Sequence, residues 1–161
     1  MKKNNKLLKI LYVTLTISLV LVWGQSCISK TESRETSDIV VEWITPIDEL
    51  DPGYSSETGW TYVELSTLVR KLAHVAEYSA IGFQVMAILL LKKKKSIYMF
   101  FNAFFLCMMI GFVDETIQLF SNRGSLVSDI WIDIAGSVLG MIMAYVLEII
   151  ILAVKKKKQT T

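Results

Sequence analysis

An all-α membrane protein with four transmembrane helices is what this 161-residue sequence specifies, and three features carry that expectation. The chain is 53% hydrophobic with a mean hydropathy of +0.47. Its apolar residues are gathered into four runs that are long and nearly free of charge. Lysine clusters fall in three places that a four-span path brings to one side. A helix crossing about 30 Å of hydrocarbon needs roughly 20 apolar residues, and only closed hydrogen-bonded structures such as helices can cross. Residues 10–29 carry no charge; residues 72–91 carry only His74 and Glu77; residues 96–120 carry only Asp114 and Glu115; residues 126–154 carry only Asp129, Asp133 and Glu148. The chain is too short for more than one ordinary domain.

The first segment, 1–29, is read as a signal-anchor-like transmembrane helix. A basic start, an apolar core over 7–23 and the small residues Gly24 and Ser26 also fit a cleaved secretory signal, which stays as the alternative. A lipoprotein site at Cys27 is disfavoured by the Gly24-Gln25 pair before it. Residues 30–66 form the one long segment outside the membrane, rich in Ser, Thr and Glu, with Pro46 and a turn at Pro52-Gly53. Trp43, Tyr54, Trp60 and Tyr62 could lay this loop on the headgroup layer; a free linker fits its composition equally well. Residues 67–154 make a three-helix core, and 155–161 a basic tail. Cys107, mid-span, reads as packing, and its depth relative to Cys27 argues against a disulfide. Gln84 and Asn102 read as interhelical glue.

Lysines set the expected orientation. Lys2, Lys3, Lys6 and Lys9 precede the first span, Lys92, Lys93, Lys94 and Lys95 join the second to the third, and Lys155, Lys156, Lys157 and Lys158 follow the fourth. The positive-inside rule places all three groups, and both termini, in the cytoplasm of a multi-pass cell-membrane protein. The 30–66 loop then lies outside, and it is acidic, with Lys30 and Arg34 its only bases. The net charge of +2 therefore carries no argument for nucleic acid; the lysines are topology signals that meet anionic headgroups.

Three polar clusters interrupt the apolar runs: Arg70, Lys71, His74, Glu77 and Tyr78; Asp114, Glu115 and Gln118; Asp129 and Asp133. On this path each falls within roughly 10 Å of the outer boundary, at 1.5 Å per residue. Steps of three and four residues put the first cluster on one helix face, and likewise pair Asp114 with Gln118 and Asp129 with Asp133. The last face continues into Gly136 and Gly140, a step that admits a close neighbour helix. Arg123, in the link after the third span, stands over the mouth, where it could hold a phosphate or carboxylate. Ionisable groups in a bilayer are costly unless paired or wetted, so such a constellation is a candidate site.

Each residue also has a structural reading. His74 could simply pair with Glu77, Asp129 could complement a helix N-terminus, and Glu148 could pair with the terminal lysines. Asp133 lies deeper and needs Arg123, Lys71, His74, a proton or a cation beside it. His74, Glu77, Asp114 and Glu115 are the candidate acid/base groups; Arg70, Lys71, Tyr78, Gln118, Arg123, Asp129 and Asp133 are the candidate ligand-binding groups. No metal site or cofactor is assigned. A hard divalent cation at the carboxylates is the one the residues could hold, since a single histidine favours oxygen-liking ions over zinc.

The strings RKLAHVAEYSAIG at 70–82 and DETIQLFSNRGSLVSDIWIDIAGSVLG at 114–140, in that order, resemble the VanZ-like family, named after a teicoplanin-resistance protein. The resemblance covers roughly the last 90 residues; relatives often carry Asn where this chain has Asp133. It implies an integral envelope membrane protein without an agreed reaction. Three classes remain open: a binder of an envelope lipid, wall precursor or glycopeptide, giving low-level teicoplanin tolerance; an outer-leaflet acid/base hydrolase or transferase on a lipid-linked substrate; and an ion carrier. The carrier is weakest, because the inner halves of the spans offer no ionisable relay. Oligomeric state has no signature in the sequence.

Overall fold

A computed structural model describes residues 2–28, 38–43, 62–92, 97–121 and 127–159. These residues form four long helices: α1 (Lys2–Ser26), α2 (Tyr62–Leu91), α3 (Ile97–Phe120) and α4 (Val127–Gln159). No strand occurs among the described residues, and all four helices are long and apolar enough to cross a membrane. Large apolar side chains point outward along every helix, among them Val20, Leu72, Phe112, Trp131 and Ile149. A water-soluble bundle of this size could not carry so continuous an apolar surface, whereas a bilayer solvates it.

The helices run up, down, up and down. Gln84 of α2 donates its amide to the Ser18 hydroxyl of α1 at 3.0 Å, and the Lys92 ammonium lies 5.2 Å from the centre of the Tyr12 ring, so α1 and α2 are antiparallel. In α2 and α4 the register rises together, from His74 beside Asp133, through Val75 beside Gly136, to Ser79 beside Gly140. Those two helices are parallel neighbours. One end of the bundle thus gathers the tail of α1, the heads of α2 and α4 and the tail of α3. The other gathers the described lysines other than Lys71, including the last-turn Lys156, Lys157 and Lys158 of α4, which complement that helix's C-terminal dipole. At 33 residues α4 is about 50 Å long at 1.5 Å per residue, so its lysine turns extend past the hydrocarbon.

The α2–α4 contact is the most extensive in the bundle, and glycine builds it. A Cβ on Gly136 would lie 2.8 Å from the Val75 carbonyl oxygen; on Gly140 it would run into the Ser79 carbonyl, and on Gly82 into the Ser137 backbone. Backbone therefore meets backbone, and the Ser79 hydroxyl donates to the Gly136 carbonyl at 2.9 Å. With no water to drive helices together, such close packing and hydrogen bonding hold them. Tyr78, Ile81, Met86, Ala103, Cys107 and Met141 fill the core beside this seam.

Three expectations change in detail. Helix α2 starts at Tyr62, so the end of the segment read as loop, through Ser66, is helical: Val63, Leu65, Leu68, Val69 and Leu72 keep helical apolar spacing beyond the point where Arg70 and Lys71 break the hydropathy. Residues 38–43 are also helical, with Val41 fully buried and Asp38 accepting a 2.8 Å bond from Ser66. Trp43 is 87% exposed, while Pro46, Tyr54 and Trp60 lie outside the described residues. Asn102 is exposed on α3, so of the two amides expected to join helices Gln84 does so. Cys27 is exposed, Cys107 is buried, and both are free thiols.

Candidate functional site

The end opposite the lysine clusters holds a buried polar layer. Asp114 and Asp133 are 0% and 1% exposed, and Glu115, Gln118 and Ser137 are nearly as deep. Burying a carboxylate is expensive unless charge or hydrogen bonds answer it. Asp114 is answered on both oxygens: Ser26 at the end of α1 donates to Oδ1, and Gln118 one turn along α3 donates to Oδ2 at 3.0 Å. The Gln118 amide also lies 3.5 Å from the Ser26 hydroxyl, and that hydroxyl lies 3.1 Å from the Val22 carbonyl. A small network therefore ties α1 to α3 at this level.

Asp133 has a different environment. Its Oδ1 lies 3.4 Å from His74 Nδ1, an ion-pair contact longer than a good hydrogen bond, and neither of its oxygens has a well-formed hydrogen bond. His74 therefore reaches across to α4, rather than along α2 to Glu77, which is half-buried. Its ring stacks at 17° on Tyr78, one turn further in, with centroids 6.5 Å apart. The Tyr78 hydroxyl is buried with no well-formed hydrogen bond, close to Asp114, and its acidic neighbours are Asp133, Asp114 and Glu115. Gly111 of α3 leaves room here: a Cβ on it would sit 3.7 Å from both Asp133 Oδ2 and the Tyr78 ring. One donor atom from each of His74, Asp114 and Asp133 lies within 4.8 Å of the others.

Above this layer the heads of α2 and α4 frame a shallow cleft lined by Arg70, Lys71, His74, Asp129, Ile132 and Asp133. Its cavity volume of about 10 Å³ is about the space of one water molecule, far below the roughly 300–1,000 Å³ of pockets that enclose drug-sized molecules. It has room for a water molecule or a bare ion, and a larger anion would meet it only at the rim. Asp129 stands in the first turn of α4, favourable at a helix N-terminus, and the Ser128 hydroxyl donates to it at 3.3 Å.

The candidate residues thus separate into groups. His74, Tyr78, Asp114, Gln118 and Asp133 meet in the buried layer; Arg70, Lys71 and Asp129 join His74 and Asp133 at the cleft. Glu115 is buried at the level of Asp114 on α3, Glu77 stands outside the His74–Asp114–Asp133 group, and Arg123 lies outside the described residues. Ser26 is the contributor that motif reading passes over. Its signal was available: a hydroxyl in the last turn of the first span, at the same depth as the acids.

A search of curated proteins and one of solved structures returned no significant match. The family model for VanZ/LLP1 matches residues 7–150. That match extends beyond the motifs of the last 90 residues and takes in α1, whose Ser26 closes the polar layer. Four helices able to cross a membrane, a polar layer at one end and a family match over most of its length lead to one statement: the chain belongs to the VanZ/LLP1 family of membrane proteins.

Proposed function

We propose that this protein binds the anionic headgroup of an envelope lipid or lipid-linked wall precursor at the Arg70–Lys71 cleft, and that low-level teicoplanin tolerance follows from that binding. The observation that carries the reading is the cleft itself. Two cationic side chains and an imidazole stand among its lining residues over buried acids, and a cleft this shallow suits an anionic group held at its rim better than an enclosed glycopeptide. The lysine distribution favours a cytoplasmic position for the opposite end, which puts the cleft at the outer leaflet of the cell membrane, where lipid-linked precursors are used. Arg70 would hold the anion bidentately and Lys71 as a point charge.

Acid/base turnover of the same lipid is the second reading, favoured by the His74–Asp133 contact at 3.4 Å beside the cleft. One experiment separates the two. The lipid and wall-precursor profile and the teicoplanin tolerance of cells are compared with and without the protein, and with Arg70→Gln/Lys71→Gln and His74→Gln at equal protein level. Binding predicts loss of tolerance in the double variant with no lipid consumed or formed. A product that vanishes with His74→Gln replaces binding with catalysis; full tolerance in the double variant removes the cleft from the function.

A further inference from the structure

We propose that His74, Asp114 and Asp133 together hold one divalent cation of the oxygen-preferring class represented by Mn²⁺ and Mg²⁺, in the buried layer where α2, α3 and α4 meet. Their donor atoms come from three helices and lie within 4.8 Å of one another. An octahedral ion with bonds of about 2.1 Å separates cis ligand atoms by about 3.0 Å and a trans pair by about 4.2 Å, so side-chain movements on the order of 1 Å close the set.

Charge points the same way. Beside Glu115, which has an interaction of its own, two carboxylates that are 0% and 1% exposed share this layer, and among the described residues His74 is the one cationic partner in ion-pair contact with either. A single imidazolium answers one of them at most. A divalent cation answers both, leaving that pair of aspartates neutralised with a neutral imidazole as ligand.

The hydrogen-bond pattern is an independent observation. His74 Nδ1 and both oxygens of Asp133 make no well-formed hydrogen bond, although Asp133 is 1% exposed. The Tyr78 hydroxyl, on a fully buried side chain close to Asp114, makes no well-formed hydrogen bond either. Asp114, by contrast, is oriented by Ser26 and Gln118, the outer contacts that commonly fix a metal-binding carboxylate. Unanswered atoms thus converge from two sides on a third, already oriented ligand. One nitrogen and two carboxylates favour a hard ion over zinc, and two of the three ligands, His74 and Asp133, also line the cleft. The metal site stands without the headgroup reading, and metal binding is measured with no lipid ligand added.

The test uses the full chain, untagged by histidine, in detergent and stripped with a chelator. Mn²⁺ is titrated and followed by loss of the free-ion electron paramagnetic resonance signal. One Mn²⁺ per chain is expected, displaced by excess Mg²⁺. Binding should be abolished in Asp133→Asn and in Asp114→Asn, weakened on the order of 10- to 100-fold in Tyr78→Phe, and unchanged in Glu148→Gln, whose carboxylate lies in the lysine-side half of α4. His74 is the chain's one histidine, which gives a readout that needs no variant: the bound Mn²⁺ must show an imidazole nitrogen coupling that changes when histidine alone is ¹⁵N-labelled. That readout decides the matter if the aspartate variants fail to fold. Absence of stoichiometric binding, binding without the histidine coupling, or full binding in a folded Asp133→Asn variant would each overturn the proposal.

Discussion

Gly140→Ala tests the seam on which the site is built. The new Cβ would run into the Ser79 carbonyl oxygen and stand 2.7 Å from the Phe83 amide nitrogen, both backbone atoms of α2 that no rotamer change can move. Relief requires α2 and α4 to part. Overpacking of this kind costs about 1–3 kcal/mol, and a separation of about 0.5–1 Å also forfeits a quarter to a half of each dispersion contact along the seam. The Ser79–Gly136 hydrogen bond, 2.9 Å long, stretches with it, at a further cost of about 0.5–1.5 kcal/mol. Gly111→Ala is the matched control: its Cβ meets nothing closer than 3.5 Å, and alanine gains up to about 1 kcal/mol of helix propensity over glycine. Thermal unfolding in detergent can be followed by reaction of Cys107, which is 2% exposed when folded, with a fluorogenic thiol reagent in a Cys27→Ser background. Gly140→Ala should melt well below the parent and Gly111→Ala at or above it. Equal melting of parent and Gly140→Ala would refute the close α2–α4 approach.

Other perturbations address single contacts. Asp133→Ala removes the partner of His74 in a buried layer and should cost on the order of 3–5 kcal/mol, while Asp133→Asn, which keeps the shape, should cost clearly less; an alanine variant as stable as the parent removes the pair. Ser26→Ala takes a donor from the fully buried Asp114 and should destabilise by about 1–3 kcal/mol in the same thermal assay, with no change meaning that α1 is not tied to α3 there. For orientation, a single cysteine at Ser121 in a Cys27→Ser/Cys107→Ala background should react with an impermeant thiol reagent outside intact cells, and one at Lys92 should not. Reversed labelling would place the cleft on the cytoplasmic side.

Much of this arrangement is legible from the residues. Run lengths reveal the four helices, because hydrocarbon thickness fixes how many apolar residues a crossing needs. The opposition of lysine end and polar end follows from counting along those helices. What spacing does not reveal is which side chain faces which across a seam. Steps of three and four residues place His74, Glu77 and Tyr78 on one face of α2, yet helix rotation decides that His74 meets Asp133 on α4. Gly136 and Gly140 announce a close neighbour, but its identity as α2, and the matching role of Gly82, depend on the parallel register. Ser26 escapes notice because a lone serine near the end of an apolar run carries no periodicity.

Headgroup recognition at the cleft is tested most directly by native mass spectrometry of the full chain released from nanodiscs doped with a polyprenyl-diphosphate-linked wall precursor. The parent should retain one such lipid per chain, and Arg70→Gln/Lys71→Gln should lose it while keeping the parent's melting temperature. Equal retention by the two proteins, or no retention by the parent with this precursor or with anionic phospholipid, would contradict it.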